Sequence, residues 1–333
     1  MVPGTCQTRA WHVPGTGRGQ STRASVYERI RRVKRHRPSA DPGRPCRANG
    51  WPGGYHERVF VAITRAVSPA LGSCELTHIE RAPIDLARAR DQHHAYEQAL
   101  VDAGGVVEHL DASAEMPDSV FVEDIAVVFD ELALIMRPGA ASRRVETPAV
   151  AQALAAHRTL ATIEAPATVD GGDVLVVGGD VFVGLSTRTN EEAVRQMQRM
   201  LAPFGYRVHA THVRGCLHLK SAATALDSST LLVNRRRIDE RAFARFTLVD
   251  VDAAEPDAAN ALQLDDRLVF PSAFPRTADR LAARGYRLQI VDAGELAKAE
   301  GAVTCCSLIV SGKPGRQEGR TAGIQARKAE GKN

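Results

Sequence analysis

The sequence predicts an α/β fold in which five strand-strand-helix-strand units close into a ring around a central cavity. Three observations carry that expectation. Four segments of the 333-residue chain repeat one pattern, an apolar strand, a tight polar turn and a second strand. Each is followed by a stretch with helical spacing and then another strand. One unpaired strand is left at each end of the patterned region, and these two can complete a fifth unit by pairing with each other.

The repeats are IAVVFDELALIMRPG from 125, DVLVVGGDVFVGLS from 173, AATALDSSTLLVNRR from 222 and ALQLDDRLVFPSAF from 261. Their turns centre near 130, 179, 228 and 266, so the period is about 49, 49 and then 38 residues. The following helices are expected in TPAVAQALAAH, TNEEAVRQMQRMLAPFG, DERAFARF and RTADRLAARG, with strands in TLATIEAP, RVHATHV, TLVDVD and RLQIVDA. Val194, Met197 and Leu201 share one face of the second helix, while Gly205 and Gly285 stand where a left-handed residue ends a helix. RVFVAITR, the helix DLARARDQHHAYEQALVDAGG and VVEHLDA open the patterned region, and AVTCCSLIV closes it. Strands inside, helices outside and both sheet faces covered leave a cavity on the axis.

Charge divides the chain in three. Residues 1–56 carry a local charge of +9, residues 312–333 carry +4, and the catalytic-looking middle, 57–311, carries −9. The two basic ends are rich in Gly, Pro, Ser and Arg without sustained periodicity, so a disordered leader and tail are expected there. An acidic middle suits a cationic small molecule better than nucleic acid. RIRRVKRHR is a single basic cluster without interleaved aromatics, which also argues against nucleic acid. No apolar run follows the N-terminal charges as in a secretory signal, and none is long enough to span a membrane. Six cysteines without a CxxC pair point to free thiols in a reducing, cytoplasmic setting.

The chemistry-bearing residues recur where hairpins begin. Asp118, Glu123 and Asp124 of PDSVFVED precede the first hairpin, and Asp170 and Asp173 of TVDGGD precede the second. His218 of CLHLK takes the matching place in the third, and Cys305 in the closing strand. Equivalent positions of a ring converge on its axis, so a thiol, an imidazole and several carboxylates from distant sequence can share one cavity. A thiol beside a histidine is a nucleophile with an acid/base partner, and a carboxylate can orient the imidazole or hold a cation. The set lacks compact ligand spacing, so neither a metal nor a cofactor is expected. Strand alternation is expected to send Cys305 and Cys306 to opposite faces, with Cys306 a small buried hydrophobe.

PDSVFVED, RPGAASRR, DGGDV, VGLSTRTN, LHLKSA and TCCSL, in this order, resemble the dimethylarginine dimethylaminohydrolase family of the pentein, or guanidino-group-modifying, superfamily. The resemblance runs from about Arg58 to Val310 and implies a five-bladed α/β propeller. It implies Cys305 as nucleophile, His218 as general acid/base and Asp170 as the carboxylate associated with that histidine. Glu123 and Asp124 would surround the substrate guanidinium. Asp118, Arg143 and Arg188 would hold the amino-acid end, with backbone contacts from Leu76 in a lid and from Ala299. The implied reaction turns asymmetric dimethylarginine or monomethylarginine into citrulline and a methylamine without a cofactor; a homodimer stays open. Arginine deiminases resemble this pattern but carry HLD and an Arg-Asp pair where this sequence has HLK, with Lys220, and VED, with Glu123. An amidinotransferase would need longer insertions. A non-catalytic propeller that binds a partner would be expected to lack the Cys/His/carboxylate set.

Overall fold

The computed structural model describes residues 60–311; the expected leader (1–56) and tail (312–333) lie outside the described residues. Five three-stranded sheets make up the described fold. The second blade is β3 (Ala126–Val128), β4 (Leu132–Ile135) and β5 (Thr159–Thr162); the third is β6 (Val174–Val177), β7 (Asp180–Leu185) and β8 (Arg207–His212). The fourth holds β9 (Ala223–Ala225), β10 (Thr230–Val233) and β11 (Thr247–Asp250), and the fifth β12 (Leu262–Leu264), β13 (Arg267–Pro271) and β14 (Arg287–Val291). In each, the first two strands form an antiparallel hairpin and the third returns parallel to the second.

The first blade closes the ring. β15 (Leu308–Val310) runs antiparallel to β1 (Val61–Arg65), which pairs in parallel with β2 (Val106–Leu110). The strands at the two ends of the described residues thus reproduce the topology of the internal blades, as the two unpaired strands of the sequence require. Parallel strands need a crossover, and the helices supply it. They are α1 (Leu86–Asp102), α2 (Thr147–Leu154), α3 (Glu191–Leu201) and α4 (Pro275–Ala283), with a single-turn α5 (Gly294–Ala297) before β15. Asp85 caps α1 by accepting from the Ala87 and Arg88 N–H groups, and Asn190 caps α3 through Ala193. Gly205 and Gly285 adopt φ of +84° and +91° after α3 and α4, the left-handed stop their positions suggest.

The core lies between consecutive blades, and strand alternation distributes it. On β7, Val181 and Val183 pack with Leu134 and Met136 of the second blade, whereas Phe182 faces Leu231 and Phe243 of the fourth. On β10, Leu231 and Val233 face the third blade and Leu232 the fifth; on β13, Leu268 and Phe270 face the fourth and Val269 the first. Middle strands buried on both faces therefore read as unbroken apolar runs. The third strand of each blade is half-exposed and marks the rim, while β15, β3, β6, β9 and β12 form the inner wall.

Two expectations are corrected. DERAFARF forms only a 3-10 turn, Glu240–Phe243, started by Asp239 accepting from the Arg241 N–H. The repeat is about 11 residues shorter there, which leaves no room for an α-helix of several turns. Cys305 and Cys306 lie not on a strand but on the 3-10 turn Thr304–Cys306. The ladder between β15 and β1 stops at the Ile63–Leu308 pair, and the preceding chain curls so that the Cys305 N–H meets the Ala302 carbonyl.

Candidate active site

A short 3-10 turn precedes the inner strand of four blades: Val122–Ile125 before β3, Gly171–Asp173 before β6, Leu219–Ser221 before β9 and Thr304–Cys306 before β15. The first of these touches both the second and the fourth, and the second touches the third. Around their meeting point is a cavity lined by Asp118, Asp124, Arg143, Asp170, Arg188, His218, Ala299 and Cys305, together with Glu75, Phe121, Leu217 and Glu300. Eight of the ten residues expected from sequence thus share one site.

Leu76 and Glu123 do not line it. Leu76 packs against the core around α1, and its neighbour Glu75 faces the cavity instead. Glu123 is buried, with one carboxylate oxygen 2.7 Å from Lys220 Nζ and the other accepting from Thr304 Oγ1 at 2.8 Å. Phe121 and Leu217 sit inside motifs already singled out, so adjacency could have found them. Glu300 had no sequence signal. It adopts a left-handed φ of 56° and accepts the N–H groups of Thr77 and His78, which ties their loop beside the cavity.

The carboxylates and the arginine of this cluster are held by hydrogen bonds, as is one edge of the imidazole. His218 Nε2 lies 3.1 Å from Asp170 Oδ2, and Asp170 Oδ1 accepts from the Gly139 N–H at 2.8 Å. Asp124 Oδ1 accepts from the Gly172 N–H at 3.1 Å and lies 3.7 Å from His218 Nδ1. A Cβ on Gly172 would stand 2.5 Å from that nitrogen and 2.8 Å from the Asp124 oxygen, so the second glycine of GGD is what lets imidazole and carboxylate approach. Asp173 secures the arrangement from behind by accepting from Ser186, Thr189 and the Leu219 N–H. Arg143 donates to Asp124 Oδ2 at 2.5 Å, to both oxygens of Glu146 and to the Phe121 carbonyl. Most of its fork is therefore committed within the wall.

Burial opposes the charged form of each of these groups, and their mutual charges decide the outcome. For His218, burial alone would favour the neutral ring, but the Asp124 charge, the bond to Asp170 and the Asp173 charge push it up to about 9. For Asp124, burial is likewise outweighed, by His218 and Arg143, and its carboxyl is held below the usual range. Burial raises the Cys305 thiol well above its ordinary value, and the Glu123 and Asp124 charges add to the effect. Asp118 is pushed up to about 6, chiefly by burial and against the pull of Arg143. The cluster thus pairs a protonated imidazole with a neutral thiol at neutral pH.

A family model described as N,N dimethylarginine dimethylhydrolase, eukaryotic, matches residues 78–248. The N(G),N(G)-dimethylarginine dimethylaminohydrolase of Streptomyces coelicolor is 41% identical over 250 residues, 74% of this chain and 95% of its own length. The chain belongs to the dimethylarginine dimethylaminohydrolase family. The dimethylarginine dimethylaminohydrolase of Pseudomonas aeruginosa is 36% identical over 67% of this chain and 89% of its own. A solved structure of a Cys-to-Ser mutant of the P. aeruginosa enzyme complexed with citrulline superposes with a TM-score of 0.71 at 34% identity, covering 75% of this chain and 98% of that one. The N-terminal domain of ArgZ, a cyanobacterial arginine dihydrolase, shares the fold at 18% identity, with a TM-score of 0.69.

Donor atoms of Asp124, Asp170 and His218 lie within 4.8 Å of one another. Protein groups already bond both carboxylates: Asp124 accepts from Arg143 and Gly172, and Asp170 from Gly139. Lys220 and Glu123, the two departures from the deiminase pattern, bond each other.

Proposed function

We propose that this protein hydrolyses Nω-methylated arginines, asymmetric dimethylarginine and monomethylarginine, to citrulline and a methylamine through a covalent thiouronium on Cys305. The observation that carries the reading is the convergence of Cys305, His218, Asp124 and Asp170 on one cavity, in a chain of this family. The catalytic unit in this reading is residues 57–311. Free thiols at Cys74, Cys216, Cys305 and Cys306 suit a reducing, cytoplasmic compartment.

A guanidinium carbon is a poor electrophile because its charge is delocalised, so the site must hold it still beside a strong nucleophile. Asp124 accepts N–H bonds from the substrate guanidinium, and that incoming positive charge favours the thiolate of Cys305, which burial otherwise keeps protonated; the thiol proton passes to solvent, because His218 already carries its own. The sulfur attacks the guanidinium carbon. Collapse of the tetrahedral adduct breaks the bond to the methylated nitrogen, which leaves with the proton carried by His218. Asp170 holds the Nε2 edge of the ring, so Nδ1 is the nitrogen free to deliver it. Neutral His218 then takes a proton from water, and the resulting hydroxide attacks the thiouronium carbon. Expulsion of the thiolate yields the urea of citrulline. At the other end of the substrate, Asp118 receives the α-ammonium. Arg188, whose guanidinium is bonded only to Thr77 Oγ1 among the described residues, receives the carboxylate with the remaining N–H of Arg143.

The test is a substrate panel of arginine, monomethylarginine, asymmetric and symmetric dimethylarginine, with amine and ammonia both measured. Citrulline and dimethylamine from the asymmetric substrate are expected. Faster release of ammonia from plain arginine would move the protein to the deiminases. Cys305→Ser should abolish turnover while Cys306→Ser, which changes a residue outside the cavity lining, should retain most of it; the opposite result would misplace the nucleophile.

A further inference from the structure

Behind the nucleophile lies a polar circuit that the reaction steps above leave unused. The turn that carries Cys305 is three residues long and poorly held by its own backbone, as 3-10 turns are. Its hold comes from the fifth blade. Asn260 stands two residues before β12, as Asp124 stands two residues before β3. Its Oδ1 accepts the Thr304 N–H at 3.1 Å, and its Nδ2 donates to Thr304 Oγ1 at 2.9 Å, so one side chain grips the residue before Cys305 at two points. The same Nδ2 donates to the Lys220 carbonyl at 3.1 Å. A flipped amide would set donor against donor at the Thr304 N–H and acceptor against acceptor at the Lys220 carbonyl, so the network admits one orientation.

From Thr304 the circuit continues. Its hydroxyl accepts from Asn260 and gives its single proton to Glu123 Oε2, and Glu123 Oε1 accepts from Lys220 Nζ. Lys220 is thus both the start and the end of the chain of bonds, which joins the inner turns before β3, β9 and β15 to Asn260 of the fifth blade. Asn260, Thr304 and Glu123 are 3%, 5% and 7% exposed, and none of the four residues lines the catalytic cavity. An aspartate at position 220 would face Glu123 with a second carboxylate and open the ring.

We infer that Asn260 is the positioning residue for the nucleophile, acting with Thr304, Glu123 and Lys220 to hold the Thr304–Cys306 turn so that Cys305 meets the substrate carbon in line. The inference rests on the reading of Cys305 as nucleophile. Cavity contacts bind the substrate, whereas this circuit sets only the approach of the sulfur. Its loss therefore falls on kcat rather than on KM.

Steady-state kinetics with asymmetric dimethylarginine test it. Asn260→Ala and Thr304→Val should each lower kcat on the order of 10- to 100-fold while KM stays within about threefold. Thr304→Ser, which keeps the hydroxyl, should restore kcat to within about threefold of the parent. The double variant Asn260→Ala with Thr304→Val should be no slower than the worse single, because both break one unit. An unchanged kcat in Asn260→Ala, equal losses in the Ser and Val variants, or multiplying losses in the double would each overturn the inference. If Asn260→Ala does not fold, the Thr304 pair decides by the same criteria. The parent and Cys305→Ser are run alongside: an inactive parent sinks the proposed function and this inference together. An active parent, a dead Cys305→Ser and an unaffected Asn260→Ala sink the positioning role alone.

Discussion

Two arginine-carboxylate clusters in this protein each contain a 2.9 Å ion pair and have different consequences. On the axis, Arg143 bonds Glu146 at 2.9 Å and also engages Asp124; on the outer face of α3, Arg195 bonds Glu192 at 2.9 Å and also reaches Glu191. The axial side chains are 5% and 2% exposed, the outer ones 54% and 27%. Water screens the outer pair and competes for each donor, whereas removing one member of the inner set strands a charge where nothing replaces it. The difference teaches that burial decides what such a cluster does: in the dry centre each charge depends on its partner, while the same residue types on the rim only keep a helix face wetted.

The comparison breaks most readily at Arg143. Arg143→Met leaves Asp124 and Glu146 buried without their counter-charge, and urea unfolding should show a loss of about 3–5 kcal/mol. A loss below about 1 kcal/mol would mean that the axial cluster behaves like a surface pair. Asp118 sharpens the contrast from the substrate's side. Because burial pushes its carboxyl up to about 6, kcat/KM should fall as the pH drops through about 6, where protonation would remove the charge we propose for the α-ammonium. Asp118→Asn should raise KM on the order of 10- to 100-fold, as expected for losing a charged hydrogen bond, and should lack that acid limb. An acid limb that survives the substitution would assign it to another group. Loss of the His218 proton above about 9 should lower activity on the alkaline side in both proteins. The smallest effect belongs to the rim: Glu192→Gln should leave the unfolding midpoint unchanged within error, and a measurable drop would show that the α3 pairs contribute to stability.

Much of the fold was legible because its signals are local. Tight polar turns between apolar runs marked the hairpins, and a left-handed glycine marked the ends of α3 and α4. The two-faced apolar run of β7 was readable as a strand, though not which of Val181 and Phe182 faces which neighbour. Reading failed where a strand pattern outlasted its partner. AVTCCSLIV is β-rich throughout, yet β1 pairs only with Leu308 to Val310, so Cys305 and Cys306 fall on a turn and simple alternation does not describe them. In the site, Cys305, His218, Asp124 and Asp170 could be found because each falls in the few residues ahead of an inner strand and sits in a motif. Asn260 stands two residues ahead of β12, as Asp124 does of β3, but is flanked by alanines, Ala259 and Ala261, and carries no ionisable group to attract notice.

The sequence by itself determined that the chain repeats, where each repeat turns, and that the strands at the two ends of the patterned region need each other to finish a fifth unit. Hydrogen bonding within a hairpin, helix capping and apolar periodicity act over a few residues, and they leave a readable trace. The tertiary structure decided which buried polar groups meet. Glu123 could have faced the substrate or the protein, and only the packing of blades shows it bonded to Lys220, 97 residues away, and to Thr304, 181 residues away. A buried carboxylate takes whatever donors the closed ring brings to it, and that choice is made by geometry over distances no local pattern encodes.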